Sequence, residues 1–482
     1  MSDWNKSLVN PLRRREARSS DATLDNPRVK GVQPRFSEDR FYGVEPAAIP
    51  AAKETAKPTK ETFPRPHALL LKRGHMLSYI GLFIFTVVLY FRPYELSPSL
   101  SWLSRSAFWI AMATLIIFLP TQLALEGNLT ARPREVNLIL ILTVLALISI
   151  PVGSNPAESW TTFNDTFVKA VVIFVVMINV VRTERRLNAL IYLSFAVSLL
   201  LSIIALRDYM SGNLSVEGYR VKPLIGGIFG NPNDMAIHLV TMVPIAIGMA
   251  IGSKGVFKKL ILFVCALLFV GAIVVTYSRG GFLGLMGSSL FLVWGLSRRG
   301  RDRKRNSLAI IGFVLAAAIL LVVAPGNYVA RILSIVGLAA DPMGSASARK
   351  TLLIHSVIVM LRNPFGVGMG NYRFMAPHDA VNHNAYTQVA TEMGFLALIV
   401  YILFMVTSFR RFKQITYDDS PFGKRAYYLG LGLKAGLVGY MISIFFASVA
   451  YQWYVYYLVG FSFALWRITG SGKQRTPEAV KS

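Results

Sequence analysis

Twelve apolar runs recur along the 482-residue chain, at residues 76–91, 106–125, 136–152, 168–181, 187–206, 235–252, 258–276, 281–297, 307–324, 385–409, 427–449 and 452–466. A stretch of about 20 apolar residues is what an α-helix needs to cross the hydrocarbon core of a bilayer. The runs therefore predict an all-α polytopic membrane protein with about twelve transmembrane helices. Composition agrees: 54% of residues are hydrophobic and only 16% are charged, against about 25% charged in soluble globular proteins.

The loops between the runs fix an orientation. ARPR, VRTERR, SKGVFKK, SRRGRDRKR, RRFK with GKR, and the C-terminal tail all fall on the side of the N-terminus, with two to six Lys or Arg each. The longer loops of the opposite side carry fewer. Basic residues concentrate on the cytoplasmic side of membrane proteins, so both termini are expected in the cytoplasm and the long loops outside. The same asymmetry accounts for the net charge of +26 without a nucleic-acid partner. Cys265 is the single cysteine, which excludes a disulfide framework or a thiolate metal cluster.

Residues 1–67 are rich in proline, charge and small polar side chains and read as a disordered cytoplasmic tail. A transmembrane domain follows at 76–467, and residues 468–482 form a short cytoplasmic tail. Between the ninth and tenth runs lies a large outer loop, 325–384; a loop of that length is usually functional. Inside it, SASARKTLLIHSVIVMLRNP has helical apolar spacing with charges at its ends, as in a helix at the membrane interface. His355 there reads as an interfacial or packed side chain rather than a catalyst.

Three outer segments could carry chemistry. Residues 363–394, NPFGVGMGNYRFMAPHDAVNHNAYTQVATEMG, place His383 where the tenth run begins. An imidazole titrates near neutrality, so His383, flanked by Asn384 and by Glu392 further along, could take a proton from a sugar hydroxyl; the alternative is an anchor in the headgroup zone. Arg279 lies in TYSRGG, where one run ends and the next starts at once. A charge there needs an anionic partner, either a lipid headgroup or a substrate phosphate. Arg220 lies in GYRVKPLIGGIFGNPNDMA, where Pro232 opens a helix that Asn231, Asn233 or Asp234 can cap. Helix N-termini attract anions, and an arginine nearby adds a charge-assisted contact.

Two arginines and a histidine suit a diphosphate donor: the arginines neutralise the leaving group and the histidine deprotonates the acceptor. Asp208, Asp234, Asp341 and Asp379 are scattered rather than paired, so no metal is expected and arginine supplies the positive charge.

The motifs R-x9-GNPN-x2-A from Arg220, SRGG from Ser278, NPFGVGMGNY from Asn363 and HNAYTQVATEMGFLAL from His383 resemble the O-antigen ligase and O-antigen polymerase family, over about 190 residues. The resemblance implies a GT-C-like, metal-independent, inverting glycosyltransferase without a cofactor. Its donor would be a glycan on undecaprenyl diphosphate held by Arg220 and Arg279. His383 would be the base, with Asn231, Asn233, Asn384, Glu392 and Arg349 as supporting residues, and the site would face the periplasm. The acceptor would be a growing glycan or lipid A core, with the bilayer and other polysaccharide-assembly proteins as partners. Ligases, polymerases and protein O-glycosylating relatives share these motifs; the N-terminal tail and the FRPYE segment at Phe91 favour a polymerase. The alternative class is a carrier of a small solute such as bicarbonate, but carriers commonly show internal repeats and charges at mid-membrane, and here there is no clear repeat and the charges sit at the outer edge.

Overall fold

The structure is a computed structural model and describes residues 74–298 and 345–473. The expected N-terminal tail, the ninth predicted span and residues 325–344 of the outer loop lie outside the described residues. The chain is helical, with no strand among the described residues beyond an isolated bridge between Val216 and Arg220. In order, the helices are α1 (Met76–Phe91), α2 (Ser106–Glu126), α3 (Arg134–Val152), α4 (Pro156–Val180), α5 (Glu184–Met210), α6 (Pro232–Gly252) and α7 (Val256–Val275). They continue as α8 (Arg279–Ser297), α9 (Ser345–Arg362), α10 (Ala385–Met393), α11 (Phe395–Gln414), α12 (Pro421–Ser443) and α13 (Trp453–Lys473).

Ten helices among the described residues are long and apolar enough to cross a membrane, so the chain is an all-α, multi-pass membrane protein. The twelfth predicted run is α13, which is not among these ten. Its residues 453–465 are all buried, so it needs no lipid-facing surface. Tyrosine and tryptophan side chains pack there against the other helices, which lowers its hydropathy without exposing it.

Two predicted spans change. The fourth begins at Pro156 rather than at residue 168, because the Asn155 side chain accepts the Glu158 N–H at 3.2 Å and Pro156 occupies the first turn; the helix then passes through a π turn at Phe163–Phe167. The tenth, expected as one helix over 385–409, is broken at Gly394, whose φ of 92° lies where side-chain-bearing residues are strained. The final carbonyls of α10 accept N–H groups from the preceding loop instead of continuing the helix. Val367 N–H reaches Thr391 O at 2.8 Å and Gly368 N–H reaches Glu392 O at 3.0 Å. The candidate span is α11, and α10 is a short helix before it.

The alternating helices sort the polar sequence to two ends. At one end, arginines from the basic loops pair with carboxylates on other helices: Arg411 holds the buried Glu135 through two bonds of 2.7 and 2.9 Å, and Arg425 holds Glu184 at 2.9 and 3.1 Å. Glu126 receives Arg182 at the same end. That cluster also closes α4: Arg182, Arg186 and Arg467 donate to the carbonyls of Asn179, Val180 and Ile178, the last of which have no partner inside the helix. The other end gathers residues 210–230, 276–279, 364–394 and 444–454.

Helices α6, α8 and α12 position that second end. Glycines on α12 let its backbone approach α6: a Cβ at Gly432 would stand 2.5 Å from the Pro244 carbonyl oxygen, and one at Gly436 2.7 Å from that of Thr241. Small residues at such crossings are how membrane helices pack closely in the absence of a strong hydrophobic drive between them. Gly432→Val should therefore destabilise the protein by about 1–3 kcal/mol, the usual cost of overpacking. A variant that unfolds in detergent at the wild-type temperature would show that this crossing has slack.

Candidate active site

The start of α6 is built as its sequence demands. Asn231 caps it, its Oδ1 accepting the N–H groups of Asn233 at 2.8 Å and Asp234 at 3.0 Å, with Pro232 in the first turn. Asn233 faces Arg220, whose Nη2 donates to its Oδ1 at 2.8 Å. Arg220 is buried and also donates through Nε to the Thr276 carbonyl at 2.7 Å, while Nη1 lies 3.4 Å from Glu217 Oε1. A guanidinium has five N–H donors, so these contacts leave part of the fork uncommitted. Arg220 thus joins the start of α6 to the turn that carries Arg279.

That turn is tight. Tyr277 has a φ of 53°, and Ser278 caps α8 by accepting the Gly281 N–H at 3.1 Å. Arg279, the first residue of α8, is 7% exposed. Its neighbours are wedged between two helices' worth of chain: a Cβ at Gly280 or at Gly281 would come within 2.8 Å of Phe446 and Ala236, respectively. Ser443 on α12 donates to the Gly280 carbonyl at 3.0 Å.

The connector between α12 and α13 carries the construction on to His383. Two residues after Phe446, Ser448 Oγ accepts the His383 backbone N–H at 2.8 Å. His383 is half-buried with a φ of 50°, a left-handed conformation uncommon for a side-chain-bearing residue. Further along, the Ala450 N–H donates to Gln388 at 3.3 Å, Tyr451 OH donates to Glu392 at 2.7 Å, and Tyr454 OH reaches the Asp234 carbonyl at 3.4 Å. Residues 444–454 therefore touch α6, α8 and α10, so Arg220, Arg279 and His383 belong to one contiguous assembly at one end of the bundle. The hydropathy pattern shows only a break between two runs here, and it gave no reason to single out Ser448, Tyr451 or Tyr454.

The supporting residues divide. Asn384 caps α10, accepting from Tyr386 N–H at 2.9 Å and Thr387 N–H at 3.1 Å, and its buried Nδ2 has no hydrogen-bond partner. Burial, and then the charge of Arg349 on α9, hold the imidazole of His383 below its ordinary pKa of 6.5. Glu392 does not flank His383 as the sequence reading expected. It closes the far end of α10, roughly 13 Å along the axis at about 1.5 Å per residue. There it is fully buried, which pushes its carboxyl up to about 7, and it is held by Tyr451 and the Gly370 N–H. Its contacts tie the 364–371 loop to the connector. His355 bonds through Nδ1 to the Tyr372 hydroxyl at 3.2 Å, the packed one of the two roles the sequence left open.

The FRPYE segment also reaches this end. Arg92 pairs with Glu95, and Glu95 Oε2 accepts the Gly226 N–H at 2.7 Å, which pins the loop between Arg220 and α6.

Chemically, the assembly offers guanidinium donors at Arg279 and Arg220, an uncommitted amide at Asn384, and an imidazole whose depressed pKa leaves it neutral near pH 7. That combination can hold an anionic leaving group and accept a proton. Among the described residues, no three His, Cys, Asp or Glu side chains converge as metal ligands.

Comparison with known families matches residues 263–402 to the family model described as O-antigen ligase. The matched stretch includes Arg279, Arg349, His383, Asn384 and Glu392, whereas Arg220, the cap of α6 and the 444–454 connector lie outside it. No curated protein matches the chain.

Proposed function

From the match of residues 263–402 to the O-antigen ligase family model and the assembly around His383, we propose a glycosyltransferase that moves a glycan from undecaprenyl diphosphate to an acceptor hydroxyl. The work takes place on the outer face of the bacterial inner membrane, with both termini in the cytoplasm. The observation that carries the reading is the 444–454 connector, which packs Phe446 on the SRGG turn and holds His383 through Ser448.

In the proposed step, His383 removes the proton from the acceptor hydroxyl as its oxygen attacks the anomeric carbon of the donor. The bond from that carbon to the diphosphate oxygen breaks, and undecaprenyl diphosphate leaves with the bonding pair. Attack opposite the leaving group inverts the anomeric centre. Arg279, with the free part of the Arg220 fork, neutralises the charge that develops on the diphosphate. Asn384 Nδ2 is a donor for a sugar or phosphate oxygen, and Arg349 keeps His383 in the neutral form that can accept a proton. We favour chain polymerisation over transfer to lipid A core, on the FRPYE segment and the N-terminal tail, neither of which belongs to the motifs shared with ligases.

Single-turnover transfer in nanodiscs tests the reading, with a synthetic polyprenyl-diphosphate glycan as donor and either one lipid-linked repeat unit or lipid A core as acceptor. Product on the repeat unit, undiminished by a strong chelator, is expected. Activity lost to the chelator and restored by magnesium would mean that the arginines do not replace a metal; solute uptake with neither product would favour a carrier.

The role of Arg349 has its own test in the pH profile. Its positive charge disfavours the imidazolium, so the acidic limb of transfer should lie below the ordinary histidine pKa of 6.5. Arg349→Gln removes that repulsion, raises the pKa and should move the limb to higher pH, so that the variant loses activity first on acidification. Identical limbs in the two proteins would remove Arg349 from the site.

A further inference from the structure

At the end of the bundle away from Arg279 and His383, a cavity of about 340 Å³ opens where α5, α6, α7, α12 and α13 meet. Its size falls in the range of small-ligand sites. Helix α6 measures the separation from the candidate active site. It starts at the Asn231 cap and ends at Gly252 beside the cavity, and its 21 residues span roughly 30 Å, about the thickness of the hydrocarbon core. A donor bound at Arg279 cannot reach this cavity, which lies at the level of the opposite headgroups.

Its polar lining is unbalanced. Arg425 and Glu184 neutralise each other through bonds of 2.9 and 3.1 Å. Lys254 and Lys258 then remain without a carboxylate partner among the described residues, both exposed, Lys258 with its Nζ 5.3 Å from the ring centre of Tyr192. Asn188 adds an amide. Deeper in, Leu429 and Leu465 make the floor apolar. Between the lining residues Gly255 and Lys258, Val256 and Phe257 are 81% and 77% exposed at the start of α7; in a bilayer such side chains face acyl chains, which places lipid beside the cavity.

Two ammonium groups without a carboxylate partner over an apolar floor, beside side chains that face lipid, match one chemistry. We propose that this cavity binds the phosphodiester headgroup of an anionic glycerophospholipid, with Lys254 and Lys258 on the phosphate and Asn188 on the headgroup hydroxyls. Basic pockets between transmembrane helices are a recurrent form of lipid recognition. The bound lipid would bridge α5, α7 and α12.

The test counts lipids retained by the purified full-length protein in detergent, by native mass spectrometry, during titration with phosphatidylglycerol or phosphatidylcholine. One phosphatidylglycerol should be retained in preference to phosphatidylcholine. Lys254→Gln with Lys258→Gln should weaken its retention roughly 10- to 30-fold, as expected for two lysines close to an anionic headgroup. Arg185→Gln with Arg410→Gln removes two exposed cations from the same end, outside the cavity, and should leave retention unchanged. Equal loss in the two double variants would reduce the effect to diffuse surface charge and overturn the site, as would equal retention of the two lipids. Displacement of the lipid by inorganic phosphate would assign the cavity to a free anion instead.

Discussion

His383→Ala is expected to lower single-turnover transfer by roughly 10² to 10⁴, the usual contribution of a positioned general base, while binding of the polyprenyl-diphosphate donor stays close to wild type. The two effects separate because different parts of the assembly carry them. The backbone N–H of His383, not its ring, makes the bond to Ser448 that fixes this segment, and alanine keeps that N–H. The Asn384 cap of α10 is likewise independent of the imidazole. Histidine adopts a left-handed φ of 50° several-fold more readily than alanine, a difference of roughly 1 kcal/mol or less, so the fold should survive. Donor affinity in the variant is measured with a non-transferable analogue, and the residual rate should lose the acidic limb that the imidazole imposes. Transfer within a factor of a few of wild type would remove His383 from proton transfer and leave it as a structural corner.

Much of the bundle was legible in the sequence because a membrane span is a long signal of one kind. About 20 apolar residues in a row leave little else for the chain to do, and the first eight predicted runs coincide with helices to within several residues except at the start of α4. What hydropathy could not show was where a helix ends for reasons of hydrogen bonding. The run 385–409 is continuous in apolarity, yet α10 stops at Met393 because loop amides at Val367 and Gly368 take its last carbonyls. The glycines of that loop and Gly394 were visible; the pairing that they permit was not. Glu392 was misplaced for a related reason, since nine residues count as near in sequence but as the far end of a short helix.

The site residues divide along the same line. Arg220 and Asn233 lie in one motif, and their contact spans 13 positions; the Arg220 bond to Thr276 spans 56, and the bond between His383 and Ser448 spans 65. Local chemistry in the sequence identified the ends of these contacts that carry charge. It was silent about Ser448, whose hydroxyl is ordinary in composition and significant only through its position in the fold.

Arg279→Lys should reduce transfer on the order of 10², in the range seen when one preorganised donor to a developing anion is lost, although the formal charge is unchanged. The argument is geometric. The start of α8 is fixed on both sides, by Phe446 and Ala236 against its glycines and by Ser443 on the Gly280 carbonyl, so the backbone at position 279 cannot shift to suit a different side chain. A guanidinium offers a planar fork that meets two phosphate oxygens at once, whereas an ammonium is a point charge on a flexible stem and more strongly hydrated. Lysine here must give up more water and holds fewer oxygens in the transition state, when charge moves onto the leaving diphosphate. The loss should therefore fall mainly on the rate of the bound complex, with a smaller loss in donor affinity, and Arg279→Gln should be worse than lysine in both. Equal rates for arginine and lysine would show that position 279 only anchors α8 to lipid headgroups, and the leaving group would then have to be held by Arg220 alone.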